Sequence, residues 1–329
     1  MIHYIIKRLA QLIFVFFLAL IVIFAIPRML PGDPSRFFIG QTVQTGVAYG
    51  DVSAALRERF GLDRPYHEQF ILFILNTFQG YLGVSWTYFP REVSSVIMER
   101  LPWTLFIMIP SRIFSLILAY FVGVIAAWNK GGKLDVTIQF LGLLSIGLPI
   151  FWVGTVFLLA FSYYIPIFPM GGSLTPGVVH PDFWSLLIDA LYHGALPILT
   201  LSLFGFFGDA LLMRNTMLGV LGEDFIITAE AKGLPEKTIM FRHAARNALL
   251  PLVTNFFVGL GFMITGSIFV ETVFSYAGMG SLMTRAIFTR DFPLIQGIFI
   301  IMTAIVLVSN FIADLVYLWL DPRVKLTMR

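Results

Sequence analysis

There is no cysteine among the 329 residues, which excludes disulfides, thiolate zinc sites, iron-sulfur clusters and a cysteine nucleophile. Charge is scarce as well. Asp, Glu, Lys and Arg make up 12% of the chain, about half of the roughly 25% that soluble domains carry, so there is too little polar surface to face water on every side. Catalytic signatures are missing: there is no H-E-x-x-H and no G-x-S-x-G, and the five histidines are scattered. Gly131-Gly132-Lys133 lacks both the upstream glycine and the following Ser or Thr that a backbone cradle for phosphates requires. The net charge of +3 is not gathered into a basic patch, which argues against nucleic acid as a partner. If the chain moves a solute uphill, the energy comes from an ion gradient or from another subunit.

What fills the chain is apolar length. Hydrophobic residues account for 58% and the mean hydropathy is +0.85. A hydrocarbon core of about 30 Å needs roughly 20 apolar residues per crossing. Six runs meet that need, at about Leu9 to Ile26, Leu101 to Trp128, Leu134 to Ile165, Ala195 to Met213, Leu249 to Val270 and Leu294 to Leu320. The first follows Lys7 and Arg8, is too long for a leader's apolar region, and ends in Pro27-Arg28 without a small-x-small cleavage site, so it is expected to stay as a span. The chain therefore reads as all-α and polytopic, with about six transmembrane helices.

Residues 1–94 are read as a first span plus an extracellular segment, and 95–329 as the main transmembrane domain. Within the extracellular segment, Asp51 to Phe60 is expected to form a short helix ended by Gly61, and Tyr66 to Phe78 a second helix along the membrane interface. Six spans with the N-terminus inside place Lys7, Lys130, Lys133, Lys232, Lys237 and Lys325 all on the cytoplasmic face, as the positive-inside rule favours. Arg285 and Arg290 fall in an outer loop. Trp86, Trp103, Trp128 and Trp184 lie near the expected interfaces, and Pro149 and Pro197 interrupt spans that should kink.

Asp209 lies inside the fourth run, where a carboxylate costs about 2.5 to 3.5 kcal/mol to insert. It either pairs with a polar neighbour such as Arg214 or Arg112, or lines a path. Asp314, near the end of the last run, reads as a packing or interface residue. The loop at about 219–248 suggests two short helices, with Glu223 and Asp224 at the positive end of the first, a C-terminal cap at Gly233, and Pro235 opening the second. It is either a surface hairpin between spans or a helix offered to a cytoplasmic partner.

The residues of that loop carry a resemblance. Thr228-Ala229-Glu230-Ala231-Lys232-Gly233-Leu234, then Arg242-His243 and Arg246-Asn247-Ala248-Leu249-Leu250-Pro251, resembles the cytoplasmic loop of permease subunits in binding-protein-dependent ABC importers, closest to the first permease of dipeptide and oligopeptide systems. Pro31-Gly32-Asp33-Pro34, Gly61-Leu62-Asp63-Arg64-Pro65, Leu82-Gly83-Val84-Ser85 and Gly147-Leu148-Pro149-Ile150-Phe151-Trp152 are similar to that subfamily in order and spacing. So are Glu271-Thr272-Val273-Phe274-Ser275, Gly278-Met279-Gly280, Arg290-Asp291-Phe292-Pro293 and Asp321-Pro322-Arg323. The chain departs from the broader permease pattern at Ile227, at His243 to Arg246, and at Ala277 where relatives often carry proline.

The resemblance implies a type I (MetI-like) permease fold in the cell membrane with both termini cytoplasmic. It also implies a second, homologous permease as heterodimer partner, two cytoplasmic ATP-binding subunits that hold ATP and magnesium, and an extracytoplasmic solute-binding protein. This chain itself would hold no cofactor or metal and perform no catalysis. The implied substrate is short peptides, with oligosaccharides or nickel complexes as alternatives and an ion-coupled transporter as the rival class. The implied contact with the ATPase comprises Glu223, Asp224, Thr228, Ala229, Ala231, Lys232, Gly233, His243, Arg246 and Asn247, while Asp209 and Arg214 are candidates for the pathway or for buried polar packing.

Overall fold

The computed structural model describes residues 2–29 and 63–320. The expected helix at Asp51 to Phe60, the Pro31 to Pro34 motif, Gly61, Asp321 to Arg323 and Lys325 lie outside the described residues. Among the described residues ten α-helices of eight residues or more follow one another: α1 Ile2–Met29, α2 Tyr66–Phe78, α3 Val93–Trp128, α4 Lys133–Gly147, α5 Ile150–Leu158, α6 Phe183–Leu221, α7 Asp224–Ala231, α8 Ala245–Val273, α9 Met279–Phe288 and α10 Phe292–Leu320. α1, α3, α6 and α10 are each long and apolar enough to cross a membrane. Two bent pairs raise the count to six: α4 with α5, and the helical stretch from Glu236 to Val273.

The break between α4 and α5 turns the chain through 104°. Its cause is local, because Pro149 lacks an N–H for the helical ladder and Leu148 before it is pushed into extended backbone. Pro197 behaves differently. The expected kink does not interrupt α6, which runs through Pro197 as one helix of 39 residues.

The chain divides into two compact units. The larger comprises Met1–Ile6, Trp103–Ser281 and Val306–Arg329, the other Lys7–Pro102 and Leu282–Ile305. In the larger unit α6 is the common partner of α4, α5 and α8. Small residues allow the approach: a Cβ on Gly142 of α4 would lie 3.2 Å from the Leu211 Cβ, and one on Gly123 of α3 would lie 2.7 Å from the Met213 Cβ. Membrane helices lack a hydrophobic force between them, so such close backbone contact supplies the packing. Exposed Phe140, Leu143 and Ile146 on α4 and Ile117 and Phe121 on α3 make a surface composition suited to lipid.

In the second unit α2 lies along α1. Phe70 and Phe73 pack on Phe24, and Phe78 packs on Phe16, so the two helices run antiparallel. Arg28, stacked over Phe24, donates to the Gln69 side chain at 2.8 Å. Leu20, Ile23 and Ile300 form the small core beside them, and Gln296 of α10 donates to the Ile23 carbonyl at 3.1 Å.

Candidate functional site

The loop between α6 and α8 is built around α7. Glu223 occupies the N-cap position and Asp224 the first turn of α7, where a carboxylate meets the positive end of the helix dipole. The helix stops because Gly233 adopts φ +70°, a conformation that costs glycine little and β-branched residues much, and its N–H closes on the Glu230 carbonyl at 2.8 Å. Pro235 then stands at the N-cap of a short turn, Glu236–Thr238. The expected second hairpin helix is not separate. A π-helical turn, Ile239–Ala244, carries the chain directly into α8, so this loop is an extension of the fifth span.

α7 is fastened by its inner face. Ile226 and Ala229 are buried in one apolar cluster with Val124 and Ala127 of α3, Met213 and Met217 of α6, and Ala245, Ala248 and Leu252 of α8. Ala229 therefore faces the chain's own core and is not free to contact a partner, contrary to its place among the expected contact residues. Asp224, Thr228, Ala231, Lys232 and Gly233 remain exposed, as do Glu223, Arg246 and Asn247, while His243 is half-buried. Two exposed apolar side chains on α7, Phe225 at 40% and Ile227 at 59%, were not singled out from the sequence. Helical periodicity places Ile227 opposite Ile226 and Ala229 and Phe225 at the flank beside Ala229, and that period was the available signal.

Asp209 and Arg214 of α6 each enter an ion pair with another helix. Asp209 is matched by Arg112 of α3, whose Nη1 donates to Oδ2 at 2.6 Å. Arg214 turns to α4 instead, donating from Nε at 2.7 Å and Nη2 at 3.0 Å to the two oxygens of Asp135. Asp135 also accepts the N–H of Gly131 at 2.8 Å, which engages an amide of the glycine pair already shown to be unfit for phosphate.

Two further carboxylates organise the chain near α9 and α10. In the larger unit Glu271 accepts from the Thr104 hydroxyl at 2.7 Å and from the N–H groups of Gly280 at 2.6 Å and Ser281 at 3.1 Å, capping the start of α9. In the second unit Asp291 accepts from the Ser85 hydroxyl at 2.5 Å, the Thr87 N–H at 2.8 Å and the Leu294 N–H at 3.2 Å. Both acids are fully buried. They belong to motifs noted in the sequence, and the structure supplies their task, the satisfaction of helix-terminal donors. A third carboxylate, Asp189, holds the segment before α6 through the N–H and hydroxyl of Thr175 at 2.8 and 2.7 Å. Among the described residues no cluster of three or more His, Asp or Glu is arranged to hold a metal ion.

The larger unit is thus a helical bundle carrying the α7 platform and held by buried polar groups, and comparison with known proteins supplies its family. Residues 119–326 match the family described as binding-protein-dependent transport system inner membrane component, and residues 1–108 match the N-terminal model of binding-protein-dependent transport membrane components. The chain is 37% identical over 311 residues to a putative peptide permease of Brucella suis, covering 93% of this chain and 94% of that one. It is 34% identical over 326 residues to the oligopeptide transport system permease protein AppB of Bacillus subtilis, covering 98% and 99%. It is 31% identical over 341 residues to the dipeptide transport system permease protein DppB of Escherichia coli K12, covering 99% of each. The chain belongs to the family of inner membrane components of binding-protein-dependent transport systems.

Proposed function

We propose that this chain is the permease subunit of an ATP-driven importer and forms half of the path for short peptides. The peptide assignment draws on the names of the relatives, all three of which are peptide permeases. A second, similar permease completes the path, an extracytoplasmic solute-binding protein delivers the peptide, and two cytoplasmic subunits bind ATP and magnesium. The termini and the α6–α8 loop face the cytoplasm, in keeping with the lysine distribution.

The observation that carries the mechanism is the seating of α7. Its inner face shares one core with the ends of α3, α6 and α8, and its outer face presents Ile227, Thr228 and Ala231. A push on that outer face is delivered to three spans at once. Closure of the ATPase pair on ATP would thus tilt the bundle as a body and switch access to the central cavity, the rigid-body class of transition.

The test is uptake by proteoliposomes containing the full complex with its solute-binding protein, across panels of di- to pentapeptides, oligosaccharides and nickel chelates. Peptide uptake that needs internal-face ATP and survives a protonophore is the expected result. Uptake that persists without ATP and collapses with the protonophore would replace this reading with an ion-coupled transporter.

A further inference from the structure

The Arg112 guanidinium sits in a compartment made for it. Nη1 donates to Asp209 Oδ2 at 2.6 Å, Nη2 to the Asn255 carbonyl at 2.7 Å, and Nε to the Phe256 carbonyl at 3.3 Å. The Asn255 amide returns to Asp209 Oδ1 at 2.7 Å, and Ser115 donates to Oδ2 at 3.3 Å. Arg112 and Asp209 are 4% and 3% exposed. Glycines on two helices leave the room: a Cβ on Gly259 would stand 2.5 Å from Nη2, and one on Gly205 would stand 3.3 Å from Nη1. The network therefore joins α3, α6 and α8 through charge, side-chain amide and backbone at one level of the bundle.

Such an array does something that apolar packing in a bilayer does not. Between membrane helices, apolar side chains exchange contacts with each other and with lipid at little cost, so they permit sliding and rotation. A planar guanidinium with directed bonds to two helices fixes their register, because any displacement leaves a charge unpaired in a medium without water. The joined helices are the three whose ends share the α7 core, while α4 and α5 meet at a 104° break.

We propose that the Arg112–Asp209–Asn255 network is a register lock that makes α3, α6 and α8 travel as one body, so that work done on α7 reaches the substrate path undiminished. This rests on the importer reading above. It makes Arg112 and Asp209 positioning residues, with no contact to substrate required.

Two experiments on the complete reconstituted complex decide it. The double variant Arg112→Met with Asp209→Leu removes both charges, an exchange that buried pairs tolerate better than loss of one partner. The expected result is assembly and binding-protein-stimulated ATP hydrolysis within about twofold of native, with peptide moved per ATP reduced at least fivefold. Native coupling in this variant would overturn the lock and leave the pair as packing.

The second experiment needs no change to the network. Ala119 of α3 and Ala210 of α6 lie in one buried cluster, and the absence of native cysteine allows Ala119→Cys with Ala210→Cys to be joined by a short bifunctional thiol reagent. If α3 and α6 move together, the cross-linked complex transports at the rate of its unlinked control. A cross-link that stops transport would overturn the proposal even if the double variant fails to assemble. Failure of the native complex to transport on ATP would instead count against the importer reading itself.

Discussion

Gly278 lies directly against the Glu271 carboxyl, so close that a Cβ at position 278 would stand 2.5 Å from the Glu271 Cδ. The same carboxyl takes the N–H groups of Gly280 and Ser281 and the Thr104 hydroxyl, so the glycine is the space in which α9 meets its cap. Gly278→Ala is expected to displace the carboxylate and strand these donors, at a cost of about 2 to 4 kcal/mol, built from one or two unsatisfied buried groups at 1 to 3 each. Glu271→Ala should cost about as much, because it leaves the Gly280 and Ser281 N–H groups without their acceptor. The measurement is the thermal midpoint of the purified complex in detergent, and native midpoints for both variants would show that α9 does not depend on this cap.

Gly233→Val tests the end of α7. Valine at φ +70° is a strained outlier, although no side chain lies within 4 Å of the added Cβ. Packing is thus untouched and only the turn is altered. The variant is expected to insert at native levels and to accept the loaded binding protein, with substrate-stimulated ATP hydrolysis reduced at least tenfold. Native hydrolysis and uptake would reduce the loop to a linker.

The spans were legible because lipid imposes a length: six apolar runs of about 20 residues or more match four helices and two bent pairs. Gly233 was legible for a similar reason, since a stop after a short helix favours the residue that tolerates positive φ. Partners across the bundle were not legible. Asp209 has Arg214 five residues along its own helix and Arg112 nearly a hundred residues away, and the structure joins it to Arg112 because the helix faces, not the separation in sequence, decide. Ala229 was misjudged for the same reason. A small residue suits either a partner surface or a tight internal contact, and the position of Ile226 beside it in the core selects the internal one. The π-helical turn at Ile239–Ala244 has no signature in single residues, so the continuity of the loop with α8 emerged only from the fold.

Orientation can be read chemically because the chain contributes no cysteine background. Val179 is 89% exposed on the segment before α6, and Glu236 is exposed on the α6–α8 loop. With the loop cytoplasmic, Val179→Cys should react with an impermeant maleimide in intact spheroplasts and Glu236→Cys only after permeabilisation. The reverse pattern would invert the topology.

The last prediction separates the two faces of α7 with neighbouring residues of one type. Ile226 is 2% exposed in the cluster shared with α3, α6 and α8, and Ile227 is 59% exposed. Ile226→Ala should destabilise the protein by about 2 to 5 kcal/mol, the range for emptying a buried isoleucine site. Ile227→Ala should leave stability within about 0.5 kcal/mol, as surface substitutions do. If the outer face docks an ATPase subunit, the order reverses in a binding assay. Ile227→Ala should weaken copurification of that subunit about tenfold or more, since truncating an apolar anchor at an interface centre costs upwards of 1 to 2 kcal/mol. Intact copurification with Ile227→Asp, a charge placed at the same point, would show that the docking surface lies elsewhere on the loop, with the exposed Arg242, Arg246 and Asn247 the next residues to substitute.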